Sequence, residues 1–149
     1  MLIIIGFLFS VLVSWFVSLP MGISGVSFID VPSALLTLVF LFFFFFASKS
    51  GSIIGKYIKS SFKKDYSYAR AELVSLSAAI KNTIKFTLGT GGFGFLAGAI
   101  ASLAVANREQ LGPNIAVSLI TVFYSIIVSY IIFFPVQAWA ENKINAMGE

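Results

Sequence analysis

Ser118, Thr121, Ser125 and Ser129 recur at steps of three, four and four inside an uncharged stretch, residues 115–134. On a helix of about 3.6 residues per turn, that spacing puts four hydroxyls on one face. A hydroxyl can return its hydrogen bond to a carbonyl one turn back, so a single serine or threonine says little. Four in register predict a buried surface, either packed or pore-lining, with Thr121, Ser118 and Ser125 as its candidate ion-path residues. Hydroxyls can solvate or relay an ion but do not titrate near neutral pH. The carboxylates lie elsewhere: Asp30 stands at the edge of an apolar stretch, and Asp65, Glu72, Glu109, Glu141 and Glu149 fall in loops or tails. An intramembrane carboxylate is the ordinary sign of proton or cation transport. A chain without one can carry protons only by borrowing the titrating group from another chain.

The residue inventory also removes most enzymology. The chain has no Cys and no His, which excludes disulfides, thiol nucleophiles and the usual zinc or haem sites. No phosphate-binding Gly-Lys-Ser/Thr loop is present, and no nucleophile stands beside a base. The glycine-rich run around Gly91 lies in an apolar span, so it is not a nucleotide loop. No enzyme activity, cofactor or metal is expected.

Four stretches are long, apolar and uncharged: residues 2–19, 31–47, 86–106 and 115–134. Crossing a hydrocarbon core of about 30 Å takes roughly 17–25 helical residues, and lipid leaves no partner for open backbone groups. The predicted fold class is therefore an all-α integral membrane protein with four transmembrane helices in a single domain. Apolar residues make up 58% and charged residues 11% of the 149, which suits a membrane protein and leaves no room for a soluble catalytic domain. Residues 2–19 carry no Lys or Arg in an n-region, and Pro20 interrupts any cleavage zone, so this stretch is predicted as an uncleaved span.

Charge sets the predicted orientation. Eight of the ten Lys/Arg lie within residues 48–85: Lys49, Lys56, Lys59, Lys63, Lys64, Arg70, Lys81 and Lys85. The positive-inside rule makes that segment cytoplasmic, with both termini on the same side and two short loops outside. Within residues 51–64, Ile53, Ile54, Tyr57, Ile58 and Phe62 interleave with Lys56, Lys59, Lys63 and Lys64 at helical spacing. The four lysines are candidates for a membrane-surface helix on an anionic leaflet; the plainer alternative is a positive-inside anchor.

Asp30 precedes Val31 and Pro32, where an outer helix cap and an early-turn proline are expected. Five phenylalanines, Phe42 to Phe46, cover all sides of the second span, so part of it must face lipid. Asp65 and Ser67 are expected to cap a helix that begins near Tyr68. No Pro or Gly separates it from the third span, which predicts a continuous helix over 69–106, about 57 Å long and projecting into the cytoplasm. Gly91, Gly94 and Gly98 step by three and four along it. Such a stripe lets helix backbones approach closely in lipid, against the chain's own helices, another copy or a partner. Pro135 is expected to kink or stop the fourth span at its inner end.

The stretch Leu111–Gly112–Pro113–Asn114–Ile115–Ala116–Val117–Ser118–Leu119–Ile120–Thr121–Val122–Phe123–Tyr124, with Phe133–Phe134–Pro135 after it, resembles the fourth transmembrane helix of MotA-type flagellar stator subunits. Phe28–Ile29–Asp30–Val31–Pro32–Ser33 is similar to the start of their second helix, and the span with Gly91, Gly94 and Gly98 to their third. The order of two spans, a cytoplasmic segment and two spans matches the MotA/TolQ/ExbB superfamily. The resemblance implies a homopentamer in the bacterial inner membrane, its third and fourth helices lining a pore. It also implies two single-span partners of the MotB/TolR/ExbD kind, each bringing the ion-carrying Asp. Thr121 would line the path, Pro135 would shape the inner gate, and the glycines would pack against neighbours or the partner. The chain also departs from that pattern. The proline ending the family's third helix falls near Leu88, and two threonines align with Phe95 and Val122. Two missing hydroxyls argue against sodium, which needs oxygen ligands in place of water, and leave proton transfer to a partner's carboxylate or no conduction at all. The segment 48–85 lacks counterparts of the charged helices that push a flagellar rotor. A non-conducting homo-oligomeric scaffold is the alternative, and a holin-like permeabiliser is a weaker third.

Overall fold

The computed structural model describes residues 29–62, 66–104 and 108–148, and among these every regular element is helical. The predicted first span, Lys63, Lys64 and Asp65 lie outside the described residues. Three helices are long and apolar enough to cross a membrane: Val31–Ser48, Arg70–Ala104 and Arg108–Ala146.

Helix α1 is Val31–Ser48, opened as expected by Asp30, whose carboxylate accepts the Ser33 N–H at 2.8 Å. Pro32 costs nothing in the first turn, where its missing N–H would have no partner anyway. Lys49 takes the left-handed conformation, φ 57°, and turns the chain at once into α2, Ser50–Ser61. Gly51 makes the elbow tight: a Cβ there would fall 2.9 Å from the Phe45 Cβ and 3.2 Å from the Phe45 carbonyl oxygen.

Helix α3, Arg70–Ala104, runs unbroken for 35 residues, about 52 Å at 1.5 Å per residue. Its start corrects one expectation. Ser67 does not cap it; instead the Ala69 N–H donates to Glu72 Oε2 at 3.3 Å, the rear half of a capping box whose front residue has no hydroxyl. After a 3-10 turn at Arg108–Gln110, α4 spans Leu111–Ile126, a π-helical segment spans Ile127–Phe133, and α5 spans Phe134–Ala146. Pro135 does not stop this helix. A proline ring strikes the carbonyl one turn back, and the widened π turns just ahead of it carry that misfit while the helix continues.

α3 and the 108–146 helix form an antiparallel hairpin, and α1 packs across both. The core has two unlike halves. Towards the end of α2 and α5 it is apolar: Leu73, Leu76, Ile80, Phe133 and Ala140 are buried, with Phe45, Tyr57 and Trp139 packed on them. Towards Asp30 the buried residues are almost all hydroxyl-bearing or glycine, while Phe93, Leu96, Ile100 and Leu103 are exposed. Small residues inside and large apolar ones outside is the arrangement of a helix bundle solvated by lipid.

Candidate functional site

The glycine and hydroxyl stripes meet each other, residue for residue, within the chain. A Cβ built on Gly91 would lie 2.5 Å from Ser125 Oγ and 2.6 Å from Ser125 Cβ; one on Gly94 would lie 2.6 Å from Thr121 Cγ2. One on Gly98 would run into the Ser118 hydroxyl, with the Ser118 Cβ at 2.9 Å. Contacts under about 3.0 Å cannot stand, so three glycines are required where α3 crosses α4. Gly89 and Gly92, on the same helix, have open space beside them. The stripe at 91, 94 and 98 therefore packs against the chain's own α4.

Where the hydroxyls send their protons separates Thr121 from its neighbours. Ser118 donates to the Asn114 carbonyl at 2.9 Å and Ser125 to the Thr121 carbonyl at 3.0 Å. Thr83, Thr87 and Thr90 on α3 do the same one turn back, at 2.8, 2.8 and 3.0 Å. Thr121 instead reaches across to α1 and donates to Ser33 Oγ at 3.0 Å, both residues being buried. Ser33 is itself tied at its N–H to Asp30, and its carbonyl accepts Thr37 Oγ1 at 3.0 Å. The Asp30 N–H donates to the Tyr124 hydroxyl at 3.1 Å. Asp30, Ser33, Thr37, Thr121 and Tyr124 thus form one knot where α1, α3 and α4 meet, Gly94 supplying the space and Leu36 Cδ2 lying 3.5 Å from its Cβ position.

Chemically, this knot is a set of neutral donors and acceptors beside one carboxylate, and that carboxylate is engaged in capping. It can relay or orient a proton; it offers no base within the hydroxyl layer. The layer continues to Ser129 in the π segment, whose hydroxyl is fully buried and has no hydrogen-bond partner among the described residues.

The other expected residues are placed as follows. Pro135 stands in the first turn of α5, beyond the π segment. Lys56 lies on α2 and forms a 2.6 Å ion pair with Glu72 of α3. That hydrogen bond and the neighbouring negative charge hold the Lys56 ammonium above the ordinary lysine range. Lys59 is exposed on the same helix, with no ion pair among the described residues. Ser33 and Thr37 were not singled out from the sequence. Two hydroxyls four residues apart in a span built mostly of Leu, Val and Phe were the available signal. Tyr57, Tyr68 and Trp139 were missed as a group, and come from three separate segments with ring centroids 5.4–5.9 Å apart. Among the described residues no cluster of His, Cys, Asp and Glu is fit to hold a metal.

No protein-family model matches the chain, and no curated protein matches it.

Proposed function

We propose that this chain is the pore-forming subunit of an ion-driven, proton-coupled membrane motor, assembled as a homopentamer with four spans per copy and both ends in the cytoplasm. It works with a dimeric single-span partner of the MotB/TolR/ExbD kind that brings the ion-binding Asp, in a bacterial inner membrane. The observation that carries the reading is the buried hydroxyl layer between α1, α3 and α4, whose one carboxylate, Asp30, stands at its edge and is engaged in capping α1. A surface prepared for a polar cargo but unable to hold a proton of its own asks for a carboxylate from elsewhere. The resemblance in residues 28–33 and 111–135 supports the same reading.

In this reading Thr121 orients the wall of the path through Ser33, Ser118 and Ser125 set the spacing of α3 and α4, and Pro135 with its π segment shapes the inner end. The test is native mass spectrometry of the tagged protein extracted gently from its own cells. Five copies with two of an Asp-bearing single-span protein is the expected result. A ring of this chain alone, reproducibly without a second subunit, would contradict it.

A second reading, a non-conducting scaffold ring of the same fold, is favoured by one observation. Ser118 and Ser125 spend their hydroxyls on their own helix and their faces on glycine, as purely structural groups would.

A further inference from the structure

At the α2 end of the molecule lies a cleft that the ion-path reading does not use. α1 is 18 residues long, about 27 Å, close to the full thickness of a hydrocarbon core. α2 leaves it after one residue, so α2 starts at the level of the lipid headgroups. Tyr57, Tyr68 and Trp139 cluster beside it, and Lys143 Nζ sits 5.2 Å over the Trp139 ring. Tyrosine and tryptophan concentrate at that depth because each has an apolar body and a polar edge.

Between α2 and the first turns of α3 is a cavity of about 340 Å³, lined by Lys56, Tyr57, Ser60, Tyr66, Tyr68 and Glu72 among others. A second hollow shares Lys56, Ser60 and Tyr66 and adds Lys59. The donors in this groove are not equally engaged. Tyr66 donates to Glu72, and Ser60 to the Tyr57 carbonyl. Among the described residues Lys56 makes one hydrogen bond, to Glu72 Oε1, and an ammonium carries three donors. Lys59 has no ion pair among the described residues. Two lysines one helical turn apart thus border one groove with N–H groups to spare. Ile58 on the same short helix and Phe62 at its C-cap are large, apolar and exposed.

We propose that this groove holds the headgroup of a membrane glycerophospholipid, its phosphodiester oxygens bound by the Lys56 and Lys59 ammonium groups. The tyrosine rings wall the glycerol, and the acyl chains leave along Ile58 and Phe62. Phosphate chemistry, with its several charged oxygens, suits the two point-charge ammonium donors that line this hollow better than a single carboxylate does. A lipid rather than a free anion follows from the depth of α2 and from the exposed apolar pair beside the lysines. The inference needs only the membrane reading of the apolar helices, not the motor reading.

The test is native mass spectrometry of the delipidated full-length protein, titrated with phosphatidylglycerol or phosphatidylethanolamine. Lys59→Ala breaks no ion pair among the described residues and keeps the Lys56–Glu72 tie, so it should fold normally and lose affinity about fivefold; Lys56→Ala/Lys59→Ala should lose about twentyfold or more. Lys81→Ala/Lys85→Ala removes equal charge from α3 outside the groove and should retain wild-type binding. Millimolar inorganic phosphate should not displace the lipid. Equal losses in both double variants would reduce the effect to bulk charge and overturn the site. Displacement by inorganic phosphate would make it a free-phosphate site and overturn the lipid assignment.

Discussion

At the scale of single residues, the account rests on close approach. Gly91→Ala puts a methyl into Ser125 and should destabilise by about 1–3 kcal/mol through overpacking. Pairing it with Ser125→Gly empties the space again, so the double variant should recover most of the loss. Gly89→Ala meets nothing within 4 Å and should be neutral or stabilising by up to ~1 kcal/mol from helix propensity. Detergent unfolding curves of the four proteins would check this, and equal losses at Gly89 and Gly91 would refute the interlock. Thr121 calls for a different substitution. A bulky side chain would strike Gly94, so Thr121→Val, which keeps the shape and removes only the hydroxyl, is the informative change. It should cost about 0.5–1.5 kcal/mol by breaking the bond to Ser33 and should impair ion coupling while leaving assembly intact. Ser129→Ala removes a buried hydroxyl that has no partner among the described residues and should leave stability unchanged or raised, since an unmade hydrogen bond is itself a cost.

At the scale of elements, the π segment ahead of Pro135 sets how α5 meets α3. Pro135→Ala restores an N–H and removes the ring clash, so the π turns should relax towards α geometry and rotate α5 out of register. Ser77 Oγ donates to Glu141 Oε1 at 3.0 Å across that contact, and the chain has no native Cys. Cysteines at 77 and 141 should therefore bridge readily with a short thiol reagent, and poorly once Pro135→Ala is added. Much of this level was legible beforehand. Absence of charge marked the spans at 31–47, 86–106 and 115–134, and steps of three and four marked the two stripes. Spacing reveals which residues share a face but not what covers it, so the stripes could not be matched to each other. The bond from Thr121 to Ser33 joins residues 88 apart in sequence, beyond any local pattern. Pro135 was read as a kink or a stop, and the sequence left the two open because the outcome depends on whether the preceding turns can widen. Ser67 was read as a cap because the helix start was placed by hydroxyl chemistry, whereas Glu72 closes it from inside.

At the scale of the whole molecule, the two halves of the core answer to two environments. The apolar cluster around Leu73, Ile80 and Ala140 gathers large side chains where α2 and α5 close the bundle. The glycine and hydroxyl layer lets α1, α3 and α4 pack tightly where lipid removes the hydrophobic drive between helices. Phe93, Leu96, Ile100 and Leu103 then form an exposed apolar row on α3 at steps of three, four and three, turned towards lipid or another copy. The central claim is that this bundle forms a path for protons yet supplies no proton carrier, and flux into liposomes loaded with a pH-sensitive dye tests it most directly. The purified chain alone should be proton-tight under an imposed potential, and vesicles holding it with its co-purified single-span partner should acidify. Conduction by the chain alone, or none with the partner present, would contradict the account.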